Sequence, residues 1–386
     1  MKFLIVVRSL KLGGMERVAV NLSDTLAEMG HTCHLLYFKH SKEQILPKHK
    51  SVSLHFFNYN KRLHFTGIGL MLDLISRLVL NPVIRKSHFL WVGMLGGKIF
   101  EHYLARLEKK YGKFDSIIFR GQGTLELVWN WHDPRLKFVV ENIIADKGTG
   151  IKQKIFSRIV FHRRNLIAVS NGVADSLNAA QQRLKWKANA ISVITNPCPV
   201  QDIRTQANVI DPEIPSEPYI INVARLVPQK DHALLLEAYQ KCEVPEKLVI
   251  VGSGRLKNEL VQLANDLHIA DKVIFAGARQ NPYPWIKRAK CLVLSSKFEG
   301  LGVVLLESLA LDTPVLSVDC PGGVRDILKE DLEKYLVERN SAALSEGIRK
   351  VLSEPAIEIN PNWLNDFKPE KIANKYCRVA NGLLIH

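Results

Sequence analysis

The feature that most constrains the fold is a repeated pattern: a short unbroken apolar run, a turn, then a segment with helical spacing. KFLIVV (2–7), HTCHLLYF (31–38), SVSLHFF (51–57), FDSIIF (114–119), LKFVVE (136–141), LIAVS (166–170) and ISVIT (191–195) are the runs of the first half. A strand with one face in water alternates apolar and polar residues, whereas a strand covered on both faces does not. Continuous runs separated by helices therefore predict a parallel sheet between helical layers. The first such helix lies in GGMERVAVNLSDTLAEMG, where Val18, Leu22 and Leu26 fall on one face and Gly30 stands where a helix would end.

The polar, proline-bearing stretch PCPVQDIRTQANVIDPEIPSEP (197–218) reads as a linker. Beyond it the alternation resumes with YIINVA, KLVIVGSG, VIFAG, CLVLSS, PVLSVD and YLVE, and helices are predicted from about residues 231, 255, 302 and 342. The tail PEKIANKYCRVANGLL (369–384) carries Ile372, Tyr376, Val379 and Leu383 at helical spacing. A chain of 386 residues exceeds one ordinary core. The expectation is α/β, with two doubly wound, Rossmann-like domains: an N-terminal domain over 1–200 and a C-terminal domain over 201–365.

Charge separates the two halves. Residues 1–200 hold 30 Lys+Arg against 13 Asp+Glu, a net of +17, so the rest of the 53 basic and 38 acidic residues leaves 201–386 at 23 − 25 = −2. A basic surface attracts phosphate-bearing partners such as anionic lipid or phosphorylated glycan. No zinc-finger, helix-turn-helix or RNA-recognition signature accompanies it, which argues against nucleic acid. Residues 60–112 mix large apolar and basic residues, as in one or two helices apolar on one side and basic on the other. Two readings fit: helical cover for the sheet, or a face for an anionic membrane that would use Phe89, Trp91, Arg85 and Lys86. No apolar run reaches the roughly 18 residues of a membrane span. The start, MKFLIVVRSLKLGG, is interrupted by Arg8 and Lys11 and lacks a small-residue cleavage site, so a buried strand is expected there. The six cysteines are dispersed, without zinc or disulfide spacing, which fits a reducing cytoplasm.

Ligands of doubly wound sheets sit beyond the carboxyl ends of the strands. CLVLSS ends at Ser296, so KFEGLG is a loop at such an end. Gly300 and Gly302 let backbone N–H groups approach a ligand, and the helix after Gly302 points its positive end at the same place. Glu299 in the loop suits sugar hydroxyls, and Glu307 in the helix suits a ribose diol, because a carboxylate accepts two hydroxyl hydrogen bonds. In VARLVPQKDH, Arg225 and Lys230 follow the strand YIINVA, and on the residues alone two readings fit them: cations for a diphosphate leaving group, or a surface pair.

In order, ARLVPQKD, VGSGRLKNEL, VIFAGARQNPY and FEGLGVVLLESLALDTPVLSVDCPGG resemble the retaining glycosyltransferases of family 4, densely over about 218–328. GGMERV, AVSNGVADSL (168–177) and SVITNP (192–197) extend the likeness more weakly, and Glu299 with Glu307 matches that family's E-x7-E motif. The resemblance implies the B-type fold of two facing Rossmann-like domains, with a C-terminal helix (366–386) crossing back to the first. It also implies roles. Arg225 and Lys230 contact the donor diphosphate, Glu299 the transferred sugar, Glu307 the ribose. Backbone N–H groups around Leu301, Gly302 and Val303 touch phosphate and sugar. Gly13 and Gly14 line the cleft, and the nucleobase lies near Arg279 and Phe275.

The implied reaction moves a hexose or N-acetylhexosamine, with retention of configuration, from a nucleoside-diphosphate sugar to a glycan. UDP is the default base on family frequency. The basic, amphipathic first half suggests a membrane-associated acceptor, such as lipopolysaccharide core or a polyprenyl-diphosphate oligosaccharide, reached by a cytoplasmic protein peripheral on the inner face of the membrane. No cofactor is implied, and with no Asp-x-Asp in the chain no metal is expected. The sequence departs from the family in FVVENIIAD. The resemblance puts this stretch on the acceptor or sugar side: Glu141 stands for the family's Glu, but Asn142 falls where a His is usual, and its amide can donate to a sugar hydroxyl but cannot carry a proton as imidazole does. This departure motivates an alternative, a catalytically inactive binding or assembly subunit. A second departure, LKEDLEKYLVERN without the usual glycine-rich turn, changes only a loop.

Overall fold

The unbroken apolar runs are parallel strands covered on both faces. The structure is a computed structural model that describes every residue except 12, 81–87, 122, 145–149, 355–359, 384 and 386. It divides into two units: 1–169 with 173–197 and 369–386, and 170–172 with 198–368.

The first unit is built on β1 (Lys2–Ser9), β2 (Thr32–Lys39), β3 (Ser53–Phe56), β4 (Ser116–Arg120), β5 (Leu136–Val140), β6 (Asn165–Ala168) and β7 (Ala190–Val193). Their order is β3-β2-β1-β4-β5-β6-β7, all parallel. Phe3 to Val7 of the central β1 are fully buried, which is why that run has no polar positions. Around the sheet lie α1 (Gly14–Glu28), α2 (Tyr59–Phe65), α3 (Ile68–Ile75), α4 (His88–Tyr111), α5 (Ile151–Phe161) and α6 (Asn171–Leu184). Val18, Leu22 and Leu26 of α1 are buried, as their spacing predicts. A π-helical turn, Ser76–Leu80, continues α3, so the apolar-basic segment is more broken than one or two helices. Arg85 and Lys86 lie outside the described residues.

The second unit carries β8 (Tyr219–Val223), β9 (Lys247–Val251), β10 (Val273–Gly277), β11 (Cys291–Leu294), β12 (Val315–Val318) and β13 (Leu336–Val337). They form a parallel sheet of order β10-β9-β8-β11-β12-β13. From β8 the chain winds out through β9 and β10, then returns to lay β11 on the other side of β8. The order therefore reverses between β8 and β11, and a crevice opens beyond their carboxyl ends. The first unit reverses in the same way between β1 and β4.

The proline-bearing stretch is not only linker: α7 (Val200–Gln206) forms inside it. Pro199 sits at its N-cap and so breaks nothing. Ile203 is buried, and the Arg204 guanidinium donates to the Ala310 carbonyl at 2.8 Å and pairs with Asp312. Then follow α8 (His232–Cys242), α9 (Lys257–Asp266), α10 (Tyr283–Arg288), α11 (Val303–Ala310), α12 (Val324–Ile327) and α13 (Ser341–Ser353). The last helix, α14 (Pro369–Ala380), belongs to the first unit and buries Ile372, Tyr376 and Val379.

Candidate active site

The loops after β8 and β11 close on each other at the switch point. The β8 loop carries Arg225 and ends in a 3₁₀ turn, Pro228–Lys230, followed by Asp231 in the left-handed region (φ 48°). Three bonds stitch it to the β11 loop. Ser295 Oγ donates to the Lys230 carbonyl (3.0 Å), the Lys297 N–H to the Gln229 carbonyl (2.8 Å), and Gln229 Nε2 to the Phe298 carbonyl (3.0 Å). Across this seam Lys230 Nζ meets Glu299 Oε1 at 2.5 Å, and Ser296 Oγ donates to the same oxygen at 2.5 Å. The Glu299 side chain is 7% exposed and that of Lys230 17%. The sequence reading assigns Lys230 to a diphosphate and Glu299 to hydroxyls; here each is also the other's counter-charge. An ammonium has three donors, so Lys230 can hold Glu299 and a phosphate oxygen together. Arg225 is exposed.

Two glycine clusters let these loops approach so closely. A side chain on Gly322, whose φ is 122°, would collide with the Glu299 carbonyl, and the Glu299 N–H donates to Pro321 at 3.0 Å. Side chains on Gly252 or Gly254 would run into the carbonyls of Ala224 or Leu226 in the β8 loop. The GSG and PGG clusters were legible in the sequence, but their partners were not. Gly302, at φ 88°, caps α11, and Gly300 and Leu301 are buried beside it while Val303 opens the helix. The N–H groups of that first turn carry the partial positive charge of a helix start. Further along α11 Glu307 is half-buried, and Tyr283 Oη donates to its Oε1 at 3.1 Å. Ser296 and Tyr283 are the partners that sequence reasoning missed, since nothing in their spacing ties them to the two acids.

The remaining predicted residues are placed less uniformly. Phe275 lies in β10 and Arg279 just beyond it, two strands away from the β8/β11 crevice. Arg279 makes a two-point pair with Glu213 (2.8 and 2.6 Å) and lies over Trp285, with 4.8 Å to the ring centroid. In the first unit Gly13 is extended and caps α1, where a side chain would come within 2.5 Å of the buried Glu16 carboxylate; a side chain on Gly14 would meet open space. Glu141 is paired within the first unit. Arg120, fully buried at the end of β4, donates to Glu141 (2.9 Å), to the Tyr376 hydroxyl (3.0 Å) and to Asn196 (2.7 Å). Burial alone would lower the Arg120 pKa; Glu141 and Tyr376 outweigh it and raise it. A buried guanidinium needs its counter-charge, which is why the Glu141 carboxylate faces inward. Asn142 Oδ1 accepts the N–H of Ile143 at 3.0 Å. No cysteine at the second unit's site suits nucleophilic work. Burial, with Glu299 adding, pushes the Cys320 thiol up to about 12, and burial with Glu307 pushes Cys198 up as well. The arrangement offers cations and amides for an anion, beside two acids for hydroxyls.

Residues 206–366 match the family described as glycosyl transferases group 1. Over 386 residues, 98% of this chain and 97% of the relative, the sequence is 24% identical to the N-acetylgalactosamine-N,N'-diacetylbacillosaminyl-diphospho-undecaprenol 4-alpha-N-acetylgalactosaminyltransferase of Campylobacter jejuni. Over 216 residues, 52% of this chain and 58% of the relative, it is 29% identical to the lipopolysaccharide 1,6-galactosyltransferase of Escherichia coli K12. Among solved structures, Staphylococcus aureus TarM in complex with fondaparinux, alpha-GlcNAc-glycerol and UDP aligns with a TM-score of 0.71 at 16% identity, covering 98% of this chain and 99% of that one. The fold is the B-type glycosyltransferase fold, with two Rossmann-like parallel-sheet domains.

Proposed function

We propose that this chain, which carries a glycosyl transferases group 1 domain, is a retaining glycosyltransferase of family 4. It moves a hexose or N-acetylhexosamine from a nucleoside-diphosphate sugar, with UDP the default base, to a membrane-associated glycan. The observation that carries this reading is the convergence of Arg225, Lys230, Glu299 and the α11 start on the β8/β11 switch point. Arg225, Lys230 and the amides around Leu301 to Val303 hold the diphosphate. Glu299, fixed by Ser296 and Lys230, binds the transferred sugar, and Glu307, fixed by Tyr283, binds the ribose. The acceptor oxygen bonds to the anomeric carbon on the face from which the diphosphate oxygen departs, and that oxygen takes the acceptor's proton. This chain's part is to stabilise charge growing on the leaving group with donors already in place. Neither a metal nor a cofactor takes part in this scheme.

The acceptor class draws on the relatives. The Campylobacter protein is named for a diphospho-undecaprenol-linked glycan and the Escherichia coli protein for lipopolysaccharide. A lipopolysaccharide core or polyprenyl-diphosphate oligosaccharide, met at the inner face of the cytoplasmic membrane, agrees with the basic first half. No described helix is long and apolar enough to cross a membrane. A thermal-shift screen across nucleotide sugars tests the donor. One sugar nucleotide should raise Tm well above the others, because only a ligand that binds the folded state stabilises it. A flat response to all of them refutes the reading.

Asn142 favours a second reading, a binding or assembly subunit without catalysis. Donor turnover separates the two: an inactive wild type rescued by Asn142→His supports the subunit reading, and an active wild type refutes it.

A further inference from the structure

The segment from the end of α2 through α3 and its π-helical turn is folded inside out. In residues 65–79 the inward positions are Gly69, Asp73 and Ser76, all buried. The outward positions are apolar: Phe65 is 92% exposed, Ile68 67%, Met71 60%, Leu74 49% and Leu78 74%. A surface helix ordinarily turns its apolar stripe to the core and its polar face to water. Here polar bonds hold the reverse. Asp73 is pinned by His64 Nε2 at 3.0 Å, Arg77 Nε at 3.0 Å and His88 Nε2 at 3.3 Å, and Ser76 Oγ lies 2.7 Å from His88 Nδ1. The Gly69 N–H donates to Thr66 Oγ1 at 2.9 Å, which fixes the entry to α3.

We propose that α3, with the end of α2 and the π-helical turn that flank it, is a docking face for the interfacial region of an anionic bilayer, with Phe65, Ile68, Met71, Leu74 and Leu78 as the inserted side chains. A cluster of exposed large apolar side chains in one short segment marks an interaction site. Charge selects the partner. Between Glu43 and Glu101 the sequence has a single carboxylate, Asp73, against eight lysines and arginines. That carboxylate is the buried pin, so the outer surface of the segment carries no negative charge from it. The Phe89 and Phe156 rings, 5.4 Å apart, set α5 beside the start of α4 and bring exposed Lys154, Ile155 and Arg158 to the neighbourhood. Apolar side chains in a stretch rich in cations suit acyl chains beneath anionic headgroups. A second copy of the chain would bring the same cations and be repelled.

The proposal rests on the peripheral-membrane part of the reading above and not on the transfer chemistry. Its test uses the full chain without donor, floated with vesicles of phosphatidylglycerol and phosphatidylethanolamine or of phosphatidylcholine alone. Wild type should float with the anionic vesicles at low salt and much less with phosphatidylcholine. Phe65→Ser with Leu78→Ser should cut the partition coefficient about tenfold or more, and Lys61→Glu by a few-fold. The replaced side chains are exposed, so circular dichroism and thermal unfolding should not change; Met71→Ser serves as an independent variant. Equal flotation of wild type and the double variant overturns the proposal. So does a wild-type dimer, seen by sedimentation velocity, that the double variant loses without any lipid binding. Sugar-nucleotide thermal shifts are read separately, so a failed donor screen beside intact, variant-sensitive flotation condemns only the transfer reading.

Discussion

The two units use the same topology and expose different things at their surfaces. Both sheets reverse strand order once, at β1/β4 in the first and β8/β11 in the second. In the second, the loops at that point are tied together by one backbone bond and two side-chain-to-carbonyl bonds, and hold an ion pair, with Glu307 and a capped helix start beyond. In the first, the corresponding ends hold a buried arginine satisfied from within, by Glu141, Asn196 and Tyr376, and two glycines. Its distinctive surface is instead a helix whose apolar face is turned outward, in a stretch with a single carboxylate between Glu43 and Glu101. A pocket that must grip a small charged ligand demands given atoms at given places. A surface that meets an extended partner demands only a kind of face.

The sharpest way to break this contrast is to remove the ion pair of the second unit. Lys230→Ala and Glu299→Ala should each lower turnover by roughly 10²-fold or more, the scale for losing one preorganised electrostatic contact. Each also leaves a partly buried charge without its partner, so unfolding of the unliganded protein is measured beside turnover. Turnover near wild type in both variants would take the site away from this seam.

That difference in demand also explains how much was legible. The parallel strands could be read because burial on both faces removes polar positions, as in Phe3 to Val7. The acids and cations of the second unit could be read because short motifs place them at strand ends. The bonds that aim them could not. Tyr283 reaches Glu307 from 24 residues away, and Gln229 reaches Phe298 across 69. The helix Val200–Gln206 was hidden by its flanking prolines, although Ile203 has a core to enter. The inverted helix was visible only as a mixture of apolar and basic residues. Periodicity reports which residues share a face but not which face meets water, and Asp73 decides that through His64 and His88, one of which is 15 residues distant in the chain.

Acidity offers a gentler probe that again separates the units. In the first, burial lowers the pKa of His31, His34, His55, His88 and His132, and His34 falls to about 4, beside a stacked His55 at 2.8 Å. In the second, His232 is the imidazole lowered among the described residues, also to about 4, by burial and Lys230. An imidazole held neutral binds fewer protons folded than unfolded. Its contribution to stability is intact above the ordinary histidine pKa and shrinks as pH falls from there toward about 4. At pH 5 that loss is about 2 kcal/mol for each fully buried imidazole, and less for the half-exposed ones. Hydrogen exchange followed segment by segment between pH 7 and 5, corrected for intrinsic rates, should show the first unit losing more protection. Equal loss in both would show that the His34–His55 pair is not held neutral.

The smallest effect expected tests whether Glu307 needs its aim. Tyr283 is 2% exposed, so Tyr283→Phe keeps the packing and removes one hydroxyl. The hydroxyl's bond to Glu307 Oε1 spans 3.1 Å, an ordinary hydrogen bond to a charged acceptor on a half-buried side chain. Such a bond contributes about 1–2 kcal/mol, and part of it is regained when water or the ribose takes its place. The donor Kd should therefore rise about 3- to 10-fold, with kcat nearly unchanged, because the ribose is bound alike in the ground and transition states. Isothermal titration with the donor that the thermal-shift screen identifies gives Kd, and initial rates give kcat. A fall in kcat at constant Kd would move Glu307 from the ribose to the reacting sugar and bring the two acids of the second unit onto one ligand group.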